Sequence, residues 1–154
     1  MPVHHRAPSL AGRRGLQDPL ARSSLGAARR YDRRVTGSVN RGNAEHYVWG
    51  EVSEGWRLVD EEGLSVIEEE VPAGAAETWH VHRQAGQFFY VLEGSAVMCT
   101  DDGDVELTAG EGVAIRPGTV HRFTNQSRAR VRFLVISAPT TRGDREEVVP
   151  HAEQ

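Results

Sequence analysis

Two histidines at metal-binding spacing are the first residues in this chain that could do chemistry. His80-Val81-His82 places two imidazoles two positions apart in a β-prone segment. In a strand, side chains at i and i+2 project from the same face, with Cα atoms about 7 Å apart, so both rings can reach one ion. Such a pair also occurs at exposed or hydrogen-bonded positions without a metal, so further ligand residues are needed to indicate a metal site.

Two later residues supply such partners. Gln87 opens the next β-prone run and shares a face with Phe89 and Val91, and His121 follows the turn at Pro117-Gly118. Three imidazole nitrogens and an amide oxygen suit Zn, Ni, Fe, Mn or Co without selecting among them. The sequence predicts one divalent metal ion held by His80, His82 and His121. Gln87 is either the fourth ligand or a hydrogen-bonding neighbour of a three-histidine site.

Short β-prone runs separated by turns must position these residues. The chain has 16 Gly and 7 Pro, and Asp101–Asp104 has the composition of a hairpin turn. About eight strands and no helix are expected over roughly 75 residues, which favours an all-β antiparallel sandwich or barrel. Residues 47–59 are predicted to form short strands or an arm that covers a neighbouring subunit. Residues 68–70, three glutamates, are predicted to lie on a solvated strand edge, and Glu77 to face away from His80.

The composition divides the chain into three parts. Residues 1–42 are predicted to be a disordered Arg-rich arm, residues 43–140 a β-barrel domain, and residues 141–154 a polar C-terminal tail. Residues 1–41 carry nine Arg and two acids, a net charge of +7, whereas residues 42–154 carry nine Arg and twenty acids, a net charge of −11. Three interpretations of the arm stay open: a solvated tail, a consequence of a start site at Val35 or Val39, or a basic arm that binds an anionic partner.

The same composition argues against several classes of protein. An acidic folded part is unlike a nucleic-acid-binding domain. No apolar run approaches the roughly 18 residues that span a bilayer, and the first residues lack the apolar segment of a secretory signal. Cys99 is the single cysteine, which excludes an internal disulfide. A cytoplasmic location is therefore predicted.

At this point the sequence resembles the cupins. Their first motif, G-x5-H-x-H-x3-4-E-x6-G, matches Gly74-x5-His80-x-His82-x4-Gln87-x6-Gly94. Their second motif, G-x5-P-x-G-x2-H-x3-N, matches Gly110-x5-Arg116-x-Gly118-x2-His121-x3-Asn125. The chain departs at two positions, with Arg116 in place of Pro and Gln87 in place of the usual Glu ligand.

The resemblance implies a jelly-roll barrel (a double-stranded β-helix) that binds a small-molecule substrate and pairs as a homodimer. Gln87 leaves a divalent site with a formal charge of +2, which favours Lewis-acid chemistry on an anionic substrate. Small cupins with Gln at this position include enzymes that open unsaturated uronate rings. An isomerase, lyase or ring-opening enzyme acting on a carboxylated or sugar-like molecule is thus the first hypothesis. An Fe- or Ni-dependent dioxygenase and a non-catalytic ligand-binding or sensor protein are the alternatives.

Candidate substrate contacts follow from the positions of residues beside the motifs. Phe89 and Phe123 are predicted to line the pocket, with plain core packing as the alternative. Arg122 is predicted to hold a substrate carboxylate, with a solvated surface position as the alternative. The sequence assigns no catalytic residue.

Overall fold

The structure, a computed structural model, describes residues 36–149. Residues 1–35 of the predicted arm and residues 150–154 of the predicted tail lie outside the described residues. Within the described range the chain forms strands, turns and loops and no helix, and so no helix there could cross a membrane. The all-β prediction is confirmed.

Eleven strands build two antiparallel sheets. They are β1 Glu45–Trp49, β2 Ser53–Asp60, β3 Ser65–Val71, β4 His80–His82, β5 Gly86–Glu93, β6 Ser95–Thr100, β7 Gly103–Thr108, β8 Gly112–Ile115, β9 His121–Thr124, β10 Val131–Ala138 and β11 Arg145–Glu147. The six-stranded sheet has the order β1-β2-β3-β10-β5-β8, and the five-stranded sheet has the order β11-β4-β9-β6-β7. Neighbours distant in sequence, such as β10 between β3 and β5, are typical of a jelly roll.

Alternation along the strands decides which side chains enter the core. In β10, Val131, Phe133 and Val135 are buried, and the intervening residues point to the other face because successive side chains alternate. Phe133 stacks on Phe123 of the other sheet with ring centroids 3.9 Å apart, and Phe89 stacks on Phe123 at 5.9 Å. Three aromatic rings therefore pack the two sheets together beneath the predicted site.

A motif glycine permits the tight connection between β5 and β6. Gly94 has a φ of 87°, and a Cβ there would lie 2.7 Å from the backbone oxygen of Arg130. Neither the backbone conformation nor the close approach suits another residue. This connection therefore ends β5, the strand that carries Gln87, and leads directly into β6.

Residues from the predicted arm and from the predicted tail contact the barrel. Arg41, placed in the predicted arm, lies over the Trp56 ring at 3.6 Å and pairs with Glu70 at 2.9 Å. β11 lies in the predicted polar tail, yet it pairs with β4 across from His80 and His82. All three residues of its sequence, REE, are exposed and polar, so no apolar alternation signals a strand.

The segment at residues 47–59 also has a defined place. β1 and β2 hydrogen-bond to each other, and β2 continues onto β3 of the same chain. The alternative of short strands is therefore correct for this segment, which extends the six-stranded sheet. These two strands and β11 raise the strand number above the predicted eight.

Candidate metal centre

Three histidines converge at the middle of the five-stranded sheet. His80 of β4 pairs in register with His121 of β9, and His82 follows two residues along β4 on the same face. All three are at least 96% buried, and their candidate ligand atoms lie within 4.8 Å of one another. The strand alternation that the sequence predicted thus brings the three rings to one point, where they could hold a metal ion.

Backbone carbonyls orient each of the three rings. The Nδ1 of His80 lies 2.9 Å from the Thr78 oxygen, and that of His121 lies 2.8 Å from the Thr119 oxygen. The Nδ1 of His82 lies 3.2 Å from the Asp144 oxygen. Because a carbonyl can only accept, each Nδ1 carries the proton and each Nε2 presents its lone pair. This is the tautomer that metal-binding histidines adopt.

Burial keeps these imidazoles neutral. It lowers the pKa of His80 to about 4, against a smaller opposing effect of the hydrogen bond to Thr78. Burial, assisted by the neighbouring His80 and His121, lowers the pKa of His82 to about 4. Neutral imidazole is the form that binds a metal, so the lone pairs are available at neutral pH.

Gln87 adds an oxygen beside the three nitrogens. Its Oε1 lies 3.0 Å from the Nε2 of His121, and its Nε2 donates to the Ser137 hydroxyl at 3.3 Å. With the His121 proton on Nδ1, the short contact joins two acceptors, an arrangement that a cation between them would stabilise. The donor atoms therefore fit a divalent metal ion.

Asp144, from the predicted tail, supports the ring of His82. Besides the carbonyl contact to that ring, its carboxylate accepts backbone N–H groups of Arg83, Gln84 and Ala85, at 3.1, 3.0 and 2.8 Å. Desolvation opposes ionisation of Asp144, but these hydrogen bonds outweigh it and hold its pKa below the ordinary value. One residue thus fixes both the β4–β5 loop and an imidazole of the site.

A cavity of about 480 Å³ opens beside the histidines. His80, His82 and Gln87 form part of its wall, and Phe89 provides an apolar surface there. Of the predicted substrate contacts, Phe89 lies on the cavity and is also 1% exposed core.

The other two predicted contacts lie elsewhere. Phe123 is fully buried between the sheets, and it is not among the residues that border the cavity. Arg122 alternates away from His121, and its guanidinium lies over the Trp79 ring at 4.7 Å. Two other arginines, Arg57 and Arg145, border the cavity instead.

Acidic and phenolic side chains form part of the cavity wall, and the sequence did not predict them there. Glu69 is 8% exposed and accepts a hydrogen bond from the Tyr47 hydroxyl at 2.9 Å. Glu77 accepts the Phe123 N–H at 3.0 Å. Both acids line the cavity. The prediction of a solvated edge is therefore wrong for Glu69 and also for Glu68, which is 9% exposed. Glu77, predicted to face away from His80, borders the same cavity as His80.

A signal for Glu69 was present in the sequence. Ser65, Ile67, Glu69 and Val71 of β3 are buried at a period of two, and Glu68 between them is buried as well. Three consecutive glutamates hide this alternation, because a run of charges normally indicates a solvated face. Arg145 and Arg57 have no comparable signal, since strand pairing alone brings them to the site.

Comparisons with known proteins agree with this fold. Residues 67–137 match the family model described as Cupin domain. The uncharacterized protein MJ1618 of Methanocaldococcus jannaschii is 31% identical over 75 residues, which are 49% of this chain and 60% of that protein. The HTH-type transcriptional regulator PuuR of Escherichia coli is 32% identical over 78 residues, which are 51% of this chain and 42% of that protein. The match thus spans less than two thirds of either curated relative.

Solved structures support the same fold. A sugar phosphate isomerase from a cupin superfamily, from Silicibacter pomeroyi, superimposes with a TM-score of 0.60. It is 23% identical, and the alignment covers 68% of this chain and 76% of that chain. At this identity the likeness concerns the fold alone.

Proposed function

We propose that this chain, whose residues 67–137 match the Cupin domain family, is a metal-dependent enzyme for a carboxylated or sugar-like small molecule. The reaction would be an isomerisation, an elimination or a ring opening. One observation carries the proposal: three buried imidazoles have ligand atoms within 4.8 Å of one another, and two of them, His80 and His82, border a cavity of about 480 Å³.

His80, His82, His121 and Gln87 would hold the ion. A bound divalent ion would supply Lewis-acid polarisation of a substrate carboxylate, carbonyl or hydroxyl. Gln87 adds no negative charge, so the centre keeps a formal charge of +2 and favours an anionic ligand. Its amide is oriented by Ser137, which directs the oxygen towards His121.

Two arginines on the remaining wall could contact an anionic, oxygen-rich substrate, beside the acids Glu69, Glu77 and Glu147. Arg57 and Arg145 add positive charge to the cavity, and a guanidinium can hold a carboxylate through two parallel hydrogen bonds. Phe89 offers an apolar surface against which a sugar ring can pack. The volume falls in the range of small-molecule sites. The sugar phosphate isomerase with the same fold works on a related class of substrate.

Metal binding is the first test. Apo protein is incubated separately with Zn, Ni, Fe, Mn and Co, desalted and measured by elemental analysis. We expect one ion per chain for at least one metal, and its loss in His82→Ala. His46→Ala is the matched control, because His46 lies on β1 with 43% of its side chain exposed. Failure of every metal to bind would overturn the proposal.

Gln87→Ala tests the fourth ligand. We expect weaker metal binding than in the wild type. Unchanged affinity would leave the three-histidine alternative.

Catalysis is tested with the α anomer of D-galacturonate, a cyclic sugar acid. Ring opening and reclosure convert it to the β anomer, which polarimetry or NMR follows. We expect the metal-loaded protein to accelerate this conversion, and His82→Ala to lose the acceleration. Oxygen uptake with an Fe- or Ni-loaded sample would favour the dioxygenase alternative instead.

A non-catalytic sensor is the second candidate, favoured by the match to the regulator PuuR. Saturable binding of sugar acids without turnover, measured by calorimetry, would support it over the enzyme.

We infer a homodimer from the exposed face of the six-stranded sheet. Phe88 and Leu92 on β5 are 38% and 37% exposed there, and exposed apolar side chains grouped on one face favour association. A monomer mass in light scattering would refute this. The cytoplasmic location stays a prediction.

A further inference from the structure

A hydrogen-bonded carboxyl group lies on the same cavity as His80 and His82. We propose that Glu69 is the general acid–base of this cavity, giving its proton to a substrate oxygen, and that Tyr47 is its positioning residue. The inference rests on the proposed function and deepens it by naming the proton donor.

Three strands align the two residues in one row. Tyr47 of β1 pairs with Gly55 of β2, and Gly55 pairs with Glu69 of β3. A Cβ at Gly55 would lie 2.6 Å from the Tyr47 hydroxyl oxygen, so only glycine leaves room for the phenol to cross β2. The phenol can therefore reach the Glu69 carboxyl and bond to it at 2.9 Å.

The surroundings of Glu69 favour its protonated form. Burial and then the neighbouring Glu77 raise its pKa to about 8. The hydrogen bond from Tyr47 and the positive charges of Arg145 and Arg57 oppose this shift but do not cancel it. The groups that act on the Glu69 carboxyl come from four places in the fold: Tyr47 from β1, Arg57 from β2, Arg145 from β11, and Glu77 from the segment before β4. A carboxyl group that holds its proton near neutral pH can act as a general acid.

A second polar group could bind a ligand in this cavity. Trp49 lies two residues after Tyr47 and borders the same space. Its indole N–H is buried and has no hydrogen-bond partner among the described residues. A buried donor without a partner costs free energy, and a substrate oxygen would satisfy it.

The proposed step balances for a cyclic sugar acid. The bond between the anomeric carbon and the ring oxygen breaks, its electron pair stays on the ring oxygen, and the Glu69 proton forms the new O–H bond. The O–H electron pair of the anomeric hydroxyl becomes the second bond of the carbonyl. The proton released from that hydroxyl returns to the Glu69 carboxylate, directly or through one water molecule. The product is the open-chain isomer, and no other reactant is needed.

Infrared spectroscopy tests the protonation state without any substrate. In metal-loaded protein at pH 7, we expect a band of a protonated carboxyl group that disappears in Glu69→Gln and titrates near pH 8. Glu68→Gln is the matched control, since Glu68 points to the opposite face, where it pairs with Arg132 at 2.9 Å. Its spectrum should keep the band. Absence of the band in the wild type would overturn the inference, whatever the fate of the proposed function.

Kinetics with α-D-galacturonate tests the catalytic role. Glu69→Gln keeps an oxygen for the Tyr47 hydrogen bond but has no acidic proton, so we expect kcat to fall by about 100-fold or more. Glu68→Gln should keep wild-type activity. Metal content and melting temperature are measured for both variants, so a folding defect would be recognised.

The pH profile tests the positioning role of Tyr47. Wild-type kcat should fall as the pH rises through about 8, because the acid loses its proton. Tyr47→Phe removes a hydrogen bond that favours the ionised carboxyl, so the falling limb should move to higher pH. An unmoved limb would overturn the role of Tyr47.

The outcomes distinguish failure of the role of Glu69 from failure of the proposed function. An active wild type with an equally active Glu69→Gln variant would overturn the inference and leave the proposed function standing. A metal-loaded wild type that does not accelerate the conversion of α-D-galacturonate would overturn ring opening and, with it, the catalytic role of Glu69.

Discussion

Replacing Asp144 with Ala should weaken metal binding although Asp144 is not a proposed ligand. The carboxylate accepts three successive backbone N–H groups of the β4–β5 loop, and the backbone oxygen of the same residue holds the Nδ1 of His82. Without the carboxylate, the turn before β11 loses its anchor on that loop, and the carbonyl loses its fixed position under the imidazole. His82 is then free to rotate away from the other two histidines.

The size of the effect follows from the role of such supporting groups. Losing a hydrogen-bond partner of a metal-bound histidine weakens metal affinity by about 10- to 100-fold. This corresponds to about 1.4 to 2.7 kcal/mol of binding free energy. The hydrogen bonds hold the pKa of Asp144 below its ordinary value, so their contribution is present above the unfolded-state pKa. It is lost as the pH falls through the lower folded-state value.

The assay is a competition titration of Co or Zn against a chromophoric chelator at pH 7. Glu146→Ala is the matched control, because Glu146 lies on β11 and pairs with Arg83 at 3.0 Å, with 56% of its side chain exposed. An exposed ion pair contributes about 0–1 kcal/mol, so this variant should bind metal as the wild type does. Wild-type affinity in Asp144→Ala, or an equal loss in both variants, would refute the reasoning.

Other predictions concern stability and its pH dependence. Phe133→Ala should lower the free energy of unfolding by about 3–5 kcal/mol, since Phe133 is fully buried between the sheets; Val105→Ala, at a 40% exposed position, should cost far less in urea unfolding, and equal losses would contradict this account of the core. Asn125→Ala should cost about 1–3 kcal/mol, because its buried amide donates to the oxygens of residues 71 and 129; calorimetry without a shift in melting temperature would contradict it. The pKa of Glu69 is raised to about 8 in the fold, so from about pH 4.5 to 8 the unfolded chain loses a proton that the folded chain keeps, and stability falls as the pH rises. Glu69→Gln should remove this decline in urea unfolding measured across that range, and an identical decline in the variant would show that other groups cause it.

The local pattern in the sequence was sufficient for the strands that carry the histidines. Alternation needs only neighbouring residues, so His80-Val81-His82 and the Gln87–Glu93 run predict their own faces. The two motifs add the order in which the ligands appear along the chain. The all-β fold and the cluster of three histidines were predicted from these signals.

Only tertiary structure decided what surrounds the histidines. Arg145 and Asp144 reach the site because β11 pairs with β4 more than 60 residues earlier in the chain, and no local pattern in an exposed three-residue strand announces that pairing. Tyr47 reaches Glu69 because three strands align in register and a glycine leaves room between them. Both cases depend on long-range hydrogen bonding between strands, which alternation along one strand does not determine. The sequence therefore determined which side chains could bind a metal, and the pairing of distant strands decided which charged and hydrogen-bonding side chains line the cavity beside them.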